Sequence, residues 1–506
     1  MHVVKESVAV IGAGPGGLVT ARWLAAHGFE PVLFEATDSL GGQWNAASTA
    51  SATWSGMRTN TSRIMTAFSD LDHAPDVAVY PRQDQMLSYL EHYARKYDLI
   101  RQVRFGTRVL NLDMAGNGGW AIRYKAGGVE GEEIFRRVIV ATGAQSAAKV
   151  PDVPGIESFA GGLGLVHTSQ YDGPERFRGR TVVVAGGSIS ALEIASDLAF
   201  NGARVVSATR RQRYILPKLI AGIPTEHVMF TRAAALAGEL LPPEAQAEGL
   251  KAAVLRAGGY PQQYGAPAPE ANIFAAGITQ SQSFLPAVAE GRIAVRPWID
   301  RIDGEHVHFC DGTAEAADAI LLATGYRLSL PWLAPRLVKT LALGDDGMDL
   351  HAHTFHPALP GLAFVGLYNL IGPYLPVLEL QARWVAYMMA GLVPPPTSGE
   401  MEEGLRSSRE MRARGQQPVL HALAVMLARK AGVEPDLREF PQLERALLFG
   451  PLSAVSFRLQ GPDCLDDAAD RIAEAAAAFG AICGEVHTPE ENQLRRLLGL
   501  ETPVAA

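Results

Sequence analysis

Two stretches far apart in the chain share one arrangement of apolar and polar positions. In "VAVIGAGPGGLVTARWLAAHGFEPVLFEA" a short apolar run, residues 8–11, leads into Gly12, Gly14 and Gly17, a helix-period pattern, and a second apolar run, 31–34, that stops at Glu35. In "TVVVAGGSISALEIASDLAFNGARVVSATRR" the two runs are Thr181–Ala185 and 203–208, and the second stops at Thr209, Arg210 and Arg211. Short, unbroken apolar runs predict strands of a parallel sheet covered on both faces, and the pattern between them predicts the crossover helix. Two later runs, 138–141 and 320–326, each carry Ala-Thr-Gly, at Thr142-Gly143 and at Thr324-Gly325. They read as the strands that return to close each unit. The predicted fold class is therefore α/β: two Rossmann-like dinucleotide-binding domains, an FAD domain with an NADPH domain inserted in it, plus a helical C-terminal region.

The expected boundaries are 1–165 for the first part of the FAD domain, 166–328 for the NADPH domain, 329–395 for the closing part of the FAD domain and 396–506 for the helical region. Inside the second domain an Ala/Pro/Gly-rich insertion, 219–289, predicts helices and loops without assignable chemistry. The amphipathic stretches "MEEGLRSSREMRARG" and "DDAADRIAEAAAAFG" predict helices that cover the first domain.

The cofactor assignment rests on how the two units end. Gly12 allows a tight turn, Gly14 lets the backbone approach a pyrophosphate, and Gly17 lets helix and strand pack closely. The helix N-terminus then offers free N–H groups to the phosphates. Glu35 is placed to accept ribose hydroxyls and would repel a 2′-phosphate. The second unit keeps Gly186 but has Ser188 and Ala191 at the later glycine positions, with Gly187 expected to supply the missing flexibility. Its strand end is basic, with Arg213 close by, as a 2′-phosphate requires. Two such sites on one chain predict hydride transfer from NADPH to a resident FAD.

Composition narrows the class. The 506 residues suit two or three domains, and 48% apolar content suits ordinary cores. A net charge of −8 argues against nucleic acid and anionic membrane as partners. The first strand starts too early for a signal peptide to precede it, and no apolar run is long enough for a membrane span. Cys310, Cys464 and Cys483 form no C-x-x-C, which suits a reducing cytoplasm and excludes disulfide-reductase chemistry.

Several polar residues stand out. Asn60 followed by Thr61 and Ser62 reads from the residues alone as the cap of a helix beginning near Ser62. His167 and Tyr171 have the i, i+4 spacing of one helix face and predict a linker contact in preference to acid–base work. His351, His353 and His356 predict surface histidines, with no metal. Trp44 and Trp384 predict aromatic packing, Trp44 against the flavin as well.

These motifs together resemble the flavin-containing monooxygenases. Besides both glycine motifs, "MRTNTSRIMTAFSD", "ATGYRLSLPWL", "HPALPGLAFVGL" and "LELQARWVAYMMAG" resemble family segments, and "LLFGPLSAVSFRLQGPD" resembles one typical of the animal enzymes. The membrane-attaching tail of those enzymes has no counterpart. The family fingerprint F-x-G-x-x-x-H-x-x-x-Y/F is present as Phe159, Gly161, His167 and Tyr171, with two extra residues between Gly161 and His167, so the inter-domain linker must run differently. The related Baeyer–Villiger enzymes usually end it in Trp.

The resemblance implies that NADPH reduces FAD, that the reduced flavin captures O₂ as a C4a-hydroperoxide, and that a soft nucleophile takes one oxygen. It implies Asn60 as the catalytic amide, in place of the cap. It implies FAD contacts from Gly12, Gly14, Gly17, Glu35, Gly42 and Gln43, and from Trp44, Thr61, Val109, Thr142, Gly143 and Gln381. NADPH contacts are implied for Tyr171, Gly186, Ser188, Ser190 and Thr209, and for Arg210, Arg211, Thr324 and Gly325. The implied substrate is a small lipophilic amine or sulfide, with Baeyer–Villiger oxidation of a ketone or uncoupled H₂O₂ production as alternatives. A homodimer is compatible with it. The remaining alternative is a dinucleotide-binding protein without turnover.

Overall fold

Strand Ser7–Ile11 lies at the centre of a five-stranded sheet ordered Leu362–Phe364, Val138–Val140, Ser7–Ile11, Glu30–Phe34, Val103–Arg104, and every pairing is parallel. The computed structural model describes residues 5–500 apart from 49, 50, 55, 117, 483 and 485. A second sheet repeats the plan in the order Ile293–Arg296, Arg204–Ala208, Thr181–Ala185, Ala319–Leu322, Gly164–His167, again all parallel. Helices Pro15–Ala26 and Ile189–Phe200 are the crossovers. The repeat extends beyond the glycine motifs. Each unit inserts a three-stranded antiparallel meander before its returning strand: Thr107–Met114, Trp120–Ala126 and Val129–Phe135 in one, Ile299–Asp303, His306–Phe309 and Ala314–Ala316 in the other.

The expected run 320–326 divides. Its strand is Ala319–Leu322, and the chain then turns at Gly325, whose φ of +81° suits glycine. Tyr326–Arg327 pairs antiparallel with Ala147–Ala148, so the two linkers between the units run side by side. The boundary near 165 also shifts. Gly164–His167 pairs with Ala319–Leu322 and belongs to the second sheet, and Val153 is buried against Ile299, Ile302 and Phe309. The two extra fingerprint residues form a turn, in which Gly164 N–H donates to Gly161 O at 2.9 Å and Gly164 takes a φ of +70°. Gly161 itself has no room for a side chain, because a Cβ would lie 2.5 Å from Ala317 O.

The C-terminal region does more than cover. Helix Leu420–Lys430 shares one core with Pro15–Ala26 and Leu375–Met389, around Trp23 and Trp384. The insertion is shorter than 219–289, because Phe284–Ala289 packs on Ile189–Phe200 and feeds the edge strand Ile293–Arg296 as an ordinary crossover helix. Of the other inserted helices, Arg232–Leu240 leaves its own unit and packs on Leu420–Lys430 and Glu444–Phe449. Arg232 is buried at that seam, its Nε 2.8 Å from Glu434 and one amino group on Leu447 O. The histidines expected at the surface are corrected: His351 and His356 are buried and His353 is half-buried. A segment that closes the sheet edge cannot also be a surface loop, since Phe355 pairs with Ala363. No cluster of metal-ligating residues occurs among the described residues.

His27 ties the segment after Phe457 to the first crossover helix. Its Nε2 lies 3.0 Å from Asp463 Oδ2, which holds the imidazole above its ordinary value of 6.5 and pulls the carboxyl down to about 2. A raised imidazole stabilises the fold fully below the unfolded value and loses that contribution as pH rises through the folded value. His27→Gln is therefore expected to lower the melting temperature more at about pH 6 than at about pH 9. An equal drop at both would show that packing against Trp23 and Tyr387 is the whole effect.

Candidate functional site

The first glycine cradle is built by mutual exclusion. A Cβ on Gly12 would lie 2.7 Å from Ala141 O, and one on Gly17 would lie 1.9 Å from Gly12 O. Gly14 and Gly42 face each other so closely that a Cβ on Gly42 would lie 3.0 Å from the Gly14 Cα. Thr142 and Gly143 leave the returning strand beside Gly12 and are exposed. Gly14 caps Pro15–Ala26 with no side chain, and no acid occupies the first turn, so the N–H groups there are open to an anion. Glu35 is buried. One carboxylate oxygen accepts from Ala13 N–H at 2.9 Å and the other from the N–H and hydroxyl of Thr37. Trp44 is buried in the turn Gly42–Trp44, while Gln43 is exposed. Val109 is buried on the meander against Ile11 and Phe34.

Gln381 is enclosed. Its Oε1 accepts from Gly366 N–H and Tyr368 OH, and its Nε2 donates to His353 O, Thr354 Oγ1 and Phe364 O. The whole amide braces the closing strand, and no polar atom of it is left over for a ligand.

The second unit forms a narrow cleft. Gly186 takes a φ of +147° and would clash with Ala323 O if it carried a Cβ, as Gly12 would with Ala141. The special conformation thus falls on Gly186, and Gly187 stays in ordinary backbone space. Ser188 caps Ile189–Phe200 without a side-chain bond, and Ser188 and Ser190 are exposed. Thr209, Arg211, Gln212 and Arg213 line the cleft beside Gly186 and Gly187, with no carboxylate among them. Arg211 is anchored by a bond to Ala275 O of the insertion, and burial beside Arg211 pushes Arg213 down. Arg210 lies apart, its guanidinium 4.6 Å from the centre of the Trp298 ring.

The fingerprint residues share no helix face. His167 ends a strand and Tyr171 follows a single turn of 3₁₀ helix. His167 reaches Gly325 O at 3.1 Å, a linker contact. Tyr171 is buried between Trp54 and Phe177, its hydroxyl on Asp197 at 2.7 Å. Thr324 bonds to Lys149 O in the neighbouring linker.

Asn60 caps no helix. Residues 63–66 form turns, and the Met65 N–H points at Ser62 Oγ, 3.4 Å away. The Asn60 Oδ1 is buried and has no hydrogen-bond partner among the described residues. Its neighbours are all engaged: Thr59 N–H with Pro81 O, Thr61 Oγ1 with Thr66 Oγ1, and Arg63 N–H with Val79 O.

Comparison with known proteins fits this arrangement. A family model described as flavin-binding monooxygenase-like matches residues 5–477. The chain belongs to that family. It is a flavin-dependent monooxygenase. The N-oxide-forming dimethylaniline monooxygenase 2 of Cavia porcellus is 30% identical over 91% of this chain and 89% of its own. The flavin-containing monooxygenase 2 of Homo sapiens is 30% identical over the same shares. In fold, the chain is similar to the S-allyl-L-cysteine S-oxygenase of Allium sativum, with a TM-score of 0.64 and 24% identity over 95% of this chain and all of that one. Cyclohexanone monooxygenase bound to ε-caprolactone also gives 0.64, with 18% identity over 85% and 98%. No helix among the described residues of the monooxygenase is long and apolar enough to cross a membrane.

Two residues that reach the loop holding Asn60 were not singled out by the sequence. Glu226 and His227 come from the insertion and reach the Asn-Thr-Ser loop. The one available signal was a titratable pair inside the apolar run "IPTEHVMF".

Proposed function

We propose that the monooxygenase transfers one oxygen atom of O₂ to a soft nucleophile, an amine nitrogen or a sulfur, with FAD at the first cradle and NADPH at the second. The contrast between the two strand ends carries the cofactor reading: a buried carboxylate in one, and a cleft of Thr209, Arg211 and Arg213 without an acid in the other. The uncapped helix starts at Gly14 and Ser188, and glycines that tolerate no Cβ, fit pyrophosphates at both places. The N-oxide-forming relatives and the S-oxygenase neighbour support the substrate class.

When bound, a flavin supplies two-electron redox chemistry and the activation of O₂. The chain's residues do the rest. Glu35 orients the ribose and disfavours a 2′-phosphate. Arg211 and Arg213 attract one. Asn60, with an N–H pair to donate and a free carbonyl to accept, offers hydrogen bonds at the flavin without a proton to lose. Such a site needs no strong base. His167 fits that view, since burial lowers its basicity and Gly325 O occupies its Nε2.

The test is cofactor choice together with product. Arg211→Ala is expected to weaken NADPH binding by about 1.5–3 kcal/mol, the worth of one charge-assisted contact, and to leave NADH nearly unchanged. Equal losses for both cofactors would remove the 2′-phosphate assignment. Given NADPH and O₂, the enzyme should convert a tertiary amine or a thioether to its oxide. Ester from an added ketone, with no oxide formed, would overturn the substrate class.

A further inference from the structure

The Asn-Thr-Ser loop belongs to the first unit, yet two of its ties come from the second. Ser62 N–H donates to Glu226 Oε1 at 2.5 Å, and Ser62 Oγ lies 2.9 Å from His227 Nε2. Glu226 and His227 sit on the short helix Thr225–Met229 of the insertion, and both are buried. Burial lowers the imidazole to about 4, so it is neutral, and burial raises the Glu226 carboxyl against the pull of Ser62 and Lys218. The His227 ring packs edge-on against Phe479 of the C-terminal region, at 5.3 Å. The hairpin before this helix is held too, with Lys218 O accepting from Tyr80 OH and Lys218 Nζ 2.9 Å from Glu193. Three parts of the chain therefore meet at His227.

The insertion makes other polar ties, Arg232 with Glu434 among them, but here it grips one polar residue two positions after Asn60. Burying a carboxyl and an imidazole in such a dry place is costly unless hydrogen bonds compensate, and Ser62 supplies one to each. We propose that Glu226 and His227 are positioning residues, which hold Ser62 and through it the free amide of Asn60, so that oxygen transfer is competent only while the insertion of the NADPH unit is docked. This rests on the reading that Asn60 acts at the flavin. The mechanism gives the second dinucleotide unit a role after hydride has been delivered: its insertion keeps the oxygen-handling loop in register. Nothing in the ties requires either side chain to change its protonation state.

The purified holoenzyme tests this with two pairs of variants. His227→Phe keeps the ring beside Phe479 and loses the bond to Ser62, while His227→Gln keeps a polar group there. Glu226→Ala removes the acceptor, and Glu226→Gln retains one. His227→Phe and Glu226→Ala should reduce their flavin with NADPH within about twofold of the parent, lose about tenfold in oxygenated product, and gain the difference as H₂O₂. The two Gln variants should stay coupled. Hydrogen exchange supplies a readout independent of turnover. Amides of peptides covering 57–66 should exchange about tenfold faster in the two disruptive variants, while peptides covering the strand Thr181–Ala185 stay unchanged. Asn60→Ala combined with Glu226→Ala should be no worse than Asn60→Ala alone. If Asn60→Ala uncouples and the disruptive variants remain coupled with unaltered exchange, the positioning role is wrong and the role of Asn60 stands. If Asn60→Ala itself remains fully coupled, the reading beneath the proposal fails, and the proposal with it.

Discussion

Asn60→Asp is expected to consume NADPH and bleach the flavin at close to the parent rate while product falls about a hundredfold and H₂O₂ rises to match. Hydride transfer precedes oxygen transfer, so a group that serves only the later step leaves the earlier one intact. Asp keeps the shape of Asn but replaces two N–H donors with negative charge. The magnitude follows from removing one preorganised donor in a site closed to water. An N-cap would behave otherwise, because Asp caps as well as Asn. The geometry already disfavours that role, since the turn at 63–66 is held by the Ser62 hydroxyl and backbone while Asn60 Oδ1 bonds to nothing among the described residues. The measurement is anaerobic flavin reduction by NADPH, followed by product and H₂O₂ yields in air. Product still equal to NADPH consumed in Asn60→Asp would remove the amide from the chemistry.

Glu379→Ala is expected to destabilise the fold by about 3–5 kcal/mol, the cost of leaving a buried guanidinium unpaired. Glu379 is enclosed on helix Leu375–Met389, accepts from the N–H and hydroxyl of Ser69, and lies 3.6 Å from Arg458. Burial pushes its carboxyl up, as does nearby Asp70, while Arg458 and Arg383 pull it down. Arg458 also donates to Ser69 Oγ, and Arg383 to Phe457 O. One carboxylate therefore fastens the C-terminal segment and the turn after the Asn-Thr-Ser loop to the helix that follows the closing strand of the first unit. The double variant Glu379→Leu with Arg458→Met should recover much of the loss, because both charges leave together. Urea unfolding followed by flavin fluorescence checks both. A midpoint for Glu379→Ala equal to that of the parent would show that Ser69 and Arg458 find water instead.

Local rules carried much of this molecule. Strand Thr181–Ala185, the crossover helices and Gly17 were legible because each depends on near neighbours: an apolar run, a helix start, a Cβ that would strike the carbonyl of Gly12, whereas the crowding at Gly12 and Gly14 comes from Ala141 and Gly42. The charge at each strand end was legible for the same reason, Glu35 following directly on its strand and Arg211 lying three residues past its own. Tertiary structure decided what depends on partners far away in sequence. The i, i+4 spacing of His167 and Tyr171 lost to strand pairing with Ala319–Leu322, which set that segment extended. The expected cap at Asn60 lost its helix, and Arg210 turned aside to Trp298 while Arg211 and Arg213 took the cleft. Gln381 spent its whole amide on the closing strand. Glu226 and His227 meet Ser62 across more than 160 positions of chain, and no local pattern encodes such a contact. Periodicity and helix starts act over a few residues, whereas burial of a polar group is settled by whichever distant segment brings it a partner.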